Sequence, residues 1–306
     1  METLVVLLRL GQYVGAVLLF GVPLFFALRM PVSDATIERW PRTPLAVAGL
    51  LTALAAIAGL VAQTAVMAGS LTEAMKPAAL AYVIQGTGLG AAFVTRAVAA
   101  GLAGALVLVL RPGRAAWALL AALGAVVAAS LAWTGHGAAT EGVGGRLHLA
   151  ADALHALAAG LWLGALAALA LMLRRRHGQA AAAALTHDAL HGFAGLGTLA
   201  VLLLTATGLV NVWFLVGPER LPSLLASAYG GLLVIKLGLF AAMVVLAACN
   251  RFALTPGLGR ALDREDARPQ ALARLRRSLA AESGLAAALL LVVAVMGVLA
   301  PPTAMM

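Results

Sequence analysis

The chain has 306 residues, of which 63% are hydrophobic and only 11% charged, with a mean hydropathy of +1.00. That much apolar surface exceeds what one soluble core encloses, so the composition excludes a soluble globular fold and demands lipid as solvent. The net charge of +9 would suggest nucleic acid in a soluble protein, but here the cations cluster between apolar runs, where they report topology, and no nucleic-acid partner is expected.

Runs of about 20 apolar residues, the length at which a helix crosses a bilayer core, predict eight spans at roughly 4–28, 44–69, 88–110, 115–135, 148–173, 192–216, 229–250 and 282–300. They are rich in Leu, Ala, Val and Gly without period-two alternation, which favours helices over barrel strands. The expected fold class is an all-α membrane protein, one polytopic bundle over residues 1–306. The first span lacks a basic start and is followed by Arg29, so it reads as a retained anchor instead of a cleaved signal. Pro41 to Pro44, Arg111-Pro112-Gly113 and Pro301-Pro302 stop helices at span ends.

Fifteen of the 21 Lys and Arg residues fall after the first, third, fifth and seventh spans, from Arg29 to Arg277. Lys76, Arg146 and Arg220 alone occupy the loops after the second, fourth and sixth, and Arg9, Arg96 and Lys236 lie inside spans. The positive-inside rule then places both termini, and the loops near 70–87, 136–147 and 217–228, away from the cytoplasm. In a bacterium that side is the periplasm and the membrane is the inner one. Cys249, the single cysteine, excludes an internal disulfide and any multi-cysteine metal site, and reads as a small packing residue. Leu272, Leu275 and Leu279, beside Arg274, Arg276 and Arg277, predict a short amphipathic helix on the cytoplasmic leaflet, ahead of the last span.

Chemistry concentrates where the fourth span gives way to the fifth. Thr134-Gly135-His136-Gly137 is followed by Arg146-Leu147-His148, Asp152, His155 and Trp162-Leu163-Gly164. At about 100° per residue, His148, Asp152 and His155 fall within about 60° on one helix face, so two imidazoles and a carboxylate can close on one metal ion. His136 could add a nitrogen from the neighbouring helix. An Asp inside a span is costly in lipid and should face the bundle with a partner. Neutral imidazole suits copper, zinc, iron and nickel; a nitrogen and oxygen set suits Cu(II), whereas Cu(I) would prefer thioethers such as Met67, Met75, Met296, Met305 or Met306. Arg96, Lys236, Asn211, Gln63, Gln85 and Tyr13 could line a pathway or simply join helices. His187 and His191, with His177 and Asp188, form a weaker second group on the cytoplasmic side.

With Thr207-Gly208-Leu209-Val210-Asn211-Val212-Trp213, Ala228-Tyr229-Gly230, Lys236 and Asn250-Arg251-Phe252, these stretches make the chain resemble the CopD/PcoD family of bacterial copper-resistance membrane proteins. The resemblance spans about residues 130 to 255. It implies copper homeostasis at the inner membrane, inward movement of copper received from a separate periplasmic carrier of the CopC type, and His136, His148, Asp152 and His155 as ligands. Ala165 departs from a second glycine found in many relatives. No P-loop is present, and no enzyme is required. Proton coupling through Asp152 or the histidines remains open. Two rivals stand beside transport: a haem-binding electron-transfer protein using His136 and His155, and a docking or sensor protein for the carrier.

Overall fold

The computed structural model describes all residues except 1, 34, 35, 37–39, 141, 175–179 and 305–306, and within helices it leaves out the side chains of His136, Ala139, Val143, Arg174 and Ala304. His177, Met305 and Met306, named above as candidates, lie outside the described residues. Among the described residues, eight helices are long and apolar enough to cross a membrane: α1 Glu2–Arg29, α2 Arg42–Ala68, α3 Gly88–Val109, α4 Arg114–Thr134, α5 Gly144–Leu173, α6 Ala180–Leu215, α7 Ala228–Ala261 and α8 Arg268–Met296. No strand occurs among the described residues.

Three helices outrun their predicted spans by more than ten residues. α6 begins twelve residues early, at Ala180, because the alanine-rich stretch before the apolar run has high helix propensity. α7 continues past Asn250 through a π turn, Asn250–Leu254. α8 begins at Arg268, so the amphipathic segment expected on the leaflet is the first half of one continuous helix. Leu275 and Leu279 enter the main core, at 0% and 3% exposure, and their side chains pack against protein, not lipid headgroups. The 70–87 connection, expected as a loop, holds two short helices, Leu71–Ala74 and Pro77–Gly86, started by a Ser70 cap and by Pro77 in the first turn.

α5 is the central helix. Of its apolar window 61% is buried, against 17% for α6 and 11% for α7. α2 packs on α3, α5 on α6 and α7 on α8, while a π segment of α1, Val17–Gly21, lies against α4 and α5. Glycine permits this last approach. A Cβ on Gly21 would strike the backbone of Gly160 and Gly164, and one on Gly124 of α4 would strike the backbone of Leu19. Without a hydrophobic force between helices in lipid, such contact is a main source of association. Ala165 is fully buried beside Gly164, so the alanine fits where the backbone contact belongs to its neighbour. Gly21→Leu is expected to separate α1 from α5, lowering the detergent unfolding midpoint and broadening the size-exclusion peak; a native profile would show that this contact is dispensable.

The molecule has two chemically different ends. Phe26, Trp40 and Trp117 close the arginine-rich end with ring centroids 5.0 to 5.8 Å apart. The opposite end, where α4 finishes and α5 begins, carries His148, and the C-terminal segment folds over it. Arg220 donates there to the carbonyl of Pro302, and Thr303 Oγ1 donates to Leu215 O over 3.1 Å.

Candidate metal site at the start of α5

His148 is wholly buried one turn inside α5. Its Nδ1 lies 2.9 Å from Thr140 Oγ1, and its ring stacks on Phe214 of α6 at 4.8 Å and 11°. Nε2 is buried with no hydrogen-bond partner. One turn further, half-buried Asp152 accepts from Asn211 Nδ2 of α6 at 2.6 Å and from the Gly137 backbone N–H. A Cβ at Gly137 would collide with Asp152 Oδ2, and one at Gly135 would stand 3.6 Å from it. The glycines flanking His136 therefore let the 3-10 turn His136–Ala139 lie against the carboxylate.

His155 is held differently. Its Nδ1 lies 2.8 Å from Thr207 Oγ1, and that hydroxyl spends its only proton on Leu203 O at 2.6 Å. Thr207 then accepts from the His155 Nδ1–H, and in the neutral imidazole this leaves Nε2 with the free lone pair. Lys236 of α7 lies within electrostatic reach of both Asp152 and His155, and buried Tyr229 also faces Asp152. Asn211 Oδ1 is buried without a donor.

The face expected from spacing is real, but its members do not meet at a point. Among the described residues, no three His, Cys, Asp or Glu side chains gather closely enough to hold an ion together. His148 and Asp152 are close electrostatic neighbours, whereas His155, about 10 Å along the axis from His148, pairs with Thr207. The His136 side chain lies outside the described ones.

Behind this end, Arg96 of α3 is completely buried. Its Nε donates to Ser130 Oγ at 3.0 Å, one terminal nitrogen donates to Gln12 Oε1, and the other reaches Ser130 O at 2.7 Å and Thr134 Oγ1 at 3.1 Å. Its guanidinium stacks on Phe93 at 5.1 Å. Arg9 donates to Thr134 O at 3.2 Å. Two arginines thus hold the residue that starts the Thr134-Gly135-His136 turn, and Arg96 does not pair with Asp152. Tyr13 and Gln63 line a cavity of about 20 Å³ beside this clamp, while Gln85 is exposed.

Met67 and Met75 are exposed and Met296 is buried beside Val216 and Tyr229. Cys249 is exposed. At the arginine-rich end His187 and His191 stack as parallel rings 6.0 Å apart, with His187 Nδ1 3.1 Å from Asp188 Oδ1 and its ring against Gly259. Sequence reasoning missed a buried carboxyl, Glu282 of α8, which accepts from Asn250 Nδ2 at 2.9 Å and from Trp162. Its signal was available: Leu275, Leu279, Glu282 and Ala286 recur at helical spacing, and all four are buried.

Comparison with known proteins identifies the family. Residues 1–146 match the family model "Copper resistance protein D-like, N-terminal domain" and residues 187–296 match "Copper resistance protein D". Copper resistance protein D of Pseudomonas syringae pv. tomato is 36% identical over 308 residues, covering 98% of this chain and 97% of that protein. The chain belongs to the copper resistance protein D family. It is also 32% identical over 134 residues to Inner membrane protein YebZ of Escherichia coli K12, covering 44% of each chain. Copper transport protein CutJ of Bacillus subtilis 168 is 32% identical over 171 residues, covering 56% of this chain and 28% of CutJ. No solved structure matches. The chain is thus a multi-pass inner-membrane protein concerned with copper. The part of α5 that carries His148, Asp152 and His155 lies between the two matched stretches.

Proposed function

We propose that this protein receives copper at the periplasmic face through His136, His148, Asp152 and His155 and passes it inward to the cytoplasm. The observation that carries this reading is the pair of free ring nitrogens on one face of the central helix. His148 Nε2 is buried without a partner, and Thr207 holds His155 in the tautomer that leaves Nε2 open. Neutral imidazole binds copper without losing a proton, and a hydrogen bond at Nδ1 fixes the orientation in which Nε2 meets a metal.

The spacing suits stations along a route better than a closed cage. Copper bound near His148 and Asp152 moves one helical turn to His155. Lys236, electropositive beside both, keeps the ion from resting, and brief binding at successive sites is what passage requires. Asp152 offsets the ion's charge and, through Gly137, places the His136 turn over the entrance. The charge asymmetry of the loops supports a periplasmic position for this end. The turns at 134–140 and 217–227 then face a separate carrier of the CopC type, and the bilayer surrounds the rest.

The first test is the copper content and absorption spectrum of detergent-purified protein, native and His148→Ala/His155→Ala, followed by copper uptake into oriented vesicles. Copper on the native chain, a loss of about tenfold or more in affinity in the variant, and uptake from the periplasmic side are the expected results. A Soret band would establish the haem reading instead. Copper binding without uptake would make the protein a docking partner of its carrier.

A further inference from the structure

Two turns along α5 from His155, on the same face, Trp162 meets a carboxyl that the copper route does not use. Glu282 is 2% exposed, accepts from the Trp162 indole and from Asn250 Nδ2, and makes no ion pair among the described residues. The helices packed on α8 are α1, α5 and α7; Glu2 and Arg146 are exposed, Arg29 lies against Gly192 of α6 with its Nε unpartnered, and their other described charged groups are engaged elsewhere. Arg9 holds Thr134 O, Arg251 holds Thr198 Oγ1 and Ala194 O, and Lys236 lies within electrostatic reach of both Asp152 and His155. Arg260 lines a surface cleft with Arg264 and Arg274. Tyr13 lies in the cavity beside Arg96, and His148 is the close electrostatic neighbour of Asp152. On α8 itself, Arg274, Arg276 and Arg277 are exposed.

An ionised carboxyl without a counter-charge is costly inside a membrane bundle, yet two N–H donors make the anion tolerable. The neutral acid has its own complement. Asn250, 6% exposed, keeps a buried Oδ1 without a donor, and a carboxyl hydroxyl is the donor that oxygen lacks. The group is thus furnished for both charge states. Asn250 opens the π turn of α7, a helix irregularity frequent at functional sites. One turn from Glu282 toward the arginine-rich end, Ser278 Oγ is also buried without a partner, which continues a polar line to that surface.

We propose that Glu282, with Asn250 and Trp162, is a proton-binding site in the arginine-rich half of the bundle, and that its proton exchanges as copper crosses. The binding of the proton stands on this geometry alone; its link to copper rests on the transport reading above.

Infrared spectroscopy of the full chain in liposomes tests the first part. A carboxylic-acid absorption that falls as pH rises, disappears in Glu282→Gln and shifts in Asn250→Ala is expected. A Glu282 carboxyl that stays ionised or stays protonated at every pH that preserves the fold overturns the proposal. Glu282→Gln keeps an acceptor for both donors, so it should fold and bind copper as the native chain does. In vesicles, an imposed pH gradient should change native copper uptake severalfold and leave Glu282→Gln unmoved; an equal response in both overturns the link to copper. A native chain that shows the titrating absorption but takes up no copper would sink the transport reading while the proton site stands.

Discussion

Arg96→Met is expected to lower stability by about 2–5 kcal/mol, as large a loss as a single substitution here should give. Methionine fills much of the arginine's volume, so the loss is polar, not a cavity. Gln12 Oε1 of α1 and Thr134 Oγ1 at the end of α4 would lose their donor, as would Ser130 O where α4 tightens into its 3-10 turn. Each buried polar group left unpaired costs about 1–3 kcal/mol. Arg96→Lys keeps the charge but has one head where three directions are needed, so it should recover only part of the loss. Thermal unfolding in detergent, followed by helical circular dichroism, reads the difference as a midpoint lowered by roughly 5–15 °C. Arg9→Met, which removes one reported bond near the membrane surface, should move it far less. If Arg96→Met unfolds like the native chain, water entering the adjoining 20 Å³ cavity has replaced the guanidinium, and the clamp is not what holds this end together.

That clamp also shows where sequence reasoning stops. The eight spans were legible because each must expose about 20 apolar residues to lipid, and length and hydropathy record that directly. The ends of α6 and α8 were not, because hydropathy marks the bilayer boundary and a helix stabilised by packing continues through it. Leu275 and Leu279 show this: their spacing gave the right face, but only tertiary contact reveals that the face meets protein instead of lipid headgroups. The candidate site was legible in the same measure. Helical spacing placed His148, Asp152 and His155 on one face, while their partners Thr140, Asn211 and Thr207 come from other segments. No local pattern tells that His155 pairs with Thr207 while His148, also against α6, stacks on Phe214. Glu282 went unremarked because it stood at the edge of a predicted span, where a carboxylate reads as interfacial. Helix α8 begins at Arg268, which carries Glu282 well inside the bundle.

Asp152→Asn should weaken copper binding about 10- to 100-fold while leaving the fold intact, and a second substitution at Lys236 should return part of the loss. The carboxylate does three things at once. It opposes the charge of Lys236, accepts from Asn211, and accepts from the Gly137 backbone that carries the His136 turn. Asparagine keeps an acceptor oxygen and the shape, so the turn should stay in place and the unfolding midpoint should move little. The negative charge is what disappears. An arriving cation then meets Lys236 without compensation, in surroundings where water screens poorly, and binding falls by the margin typical of a lost charged partner near a metal. Lys236→Met in the Asp152→Asn background removes the repulsion, so the double variant should bind copper more tightly than Asp152→Asn alone. In the native background, Lys236→Met should tighten binding and slow release, because a positive charge beside the proposed site is gone. Copper titration of the four chains closes a double-mutant cycle, with a coupling of about 0.5–3 kcal/mol expected for groups in one network. Additive effects would mean that Lys236 acts elsewhere and that Asp152 serves copper only as a ligand. An Asp152→Asn chain that binds copper like the native one would remove the carboxylate from the route and leave the imidazoles to carry it alone.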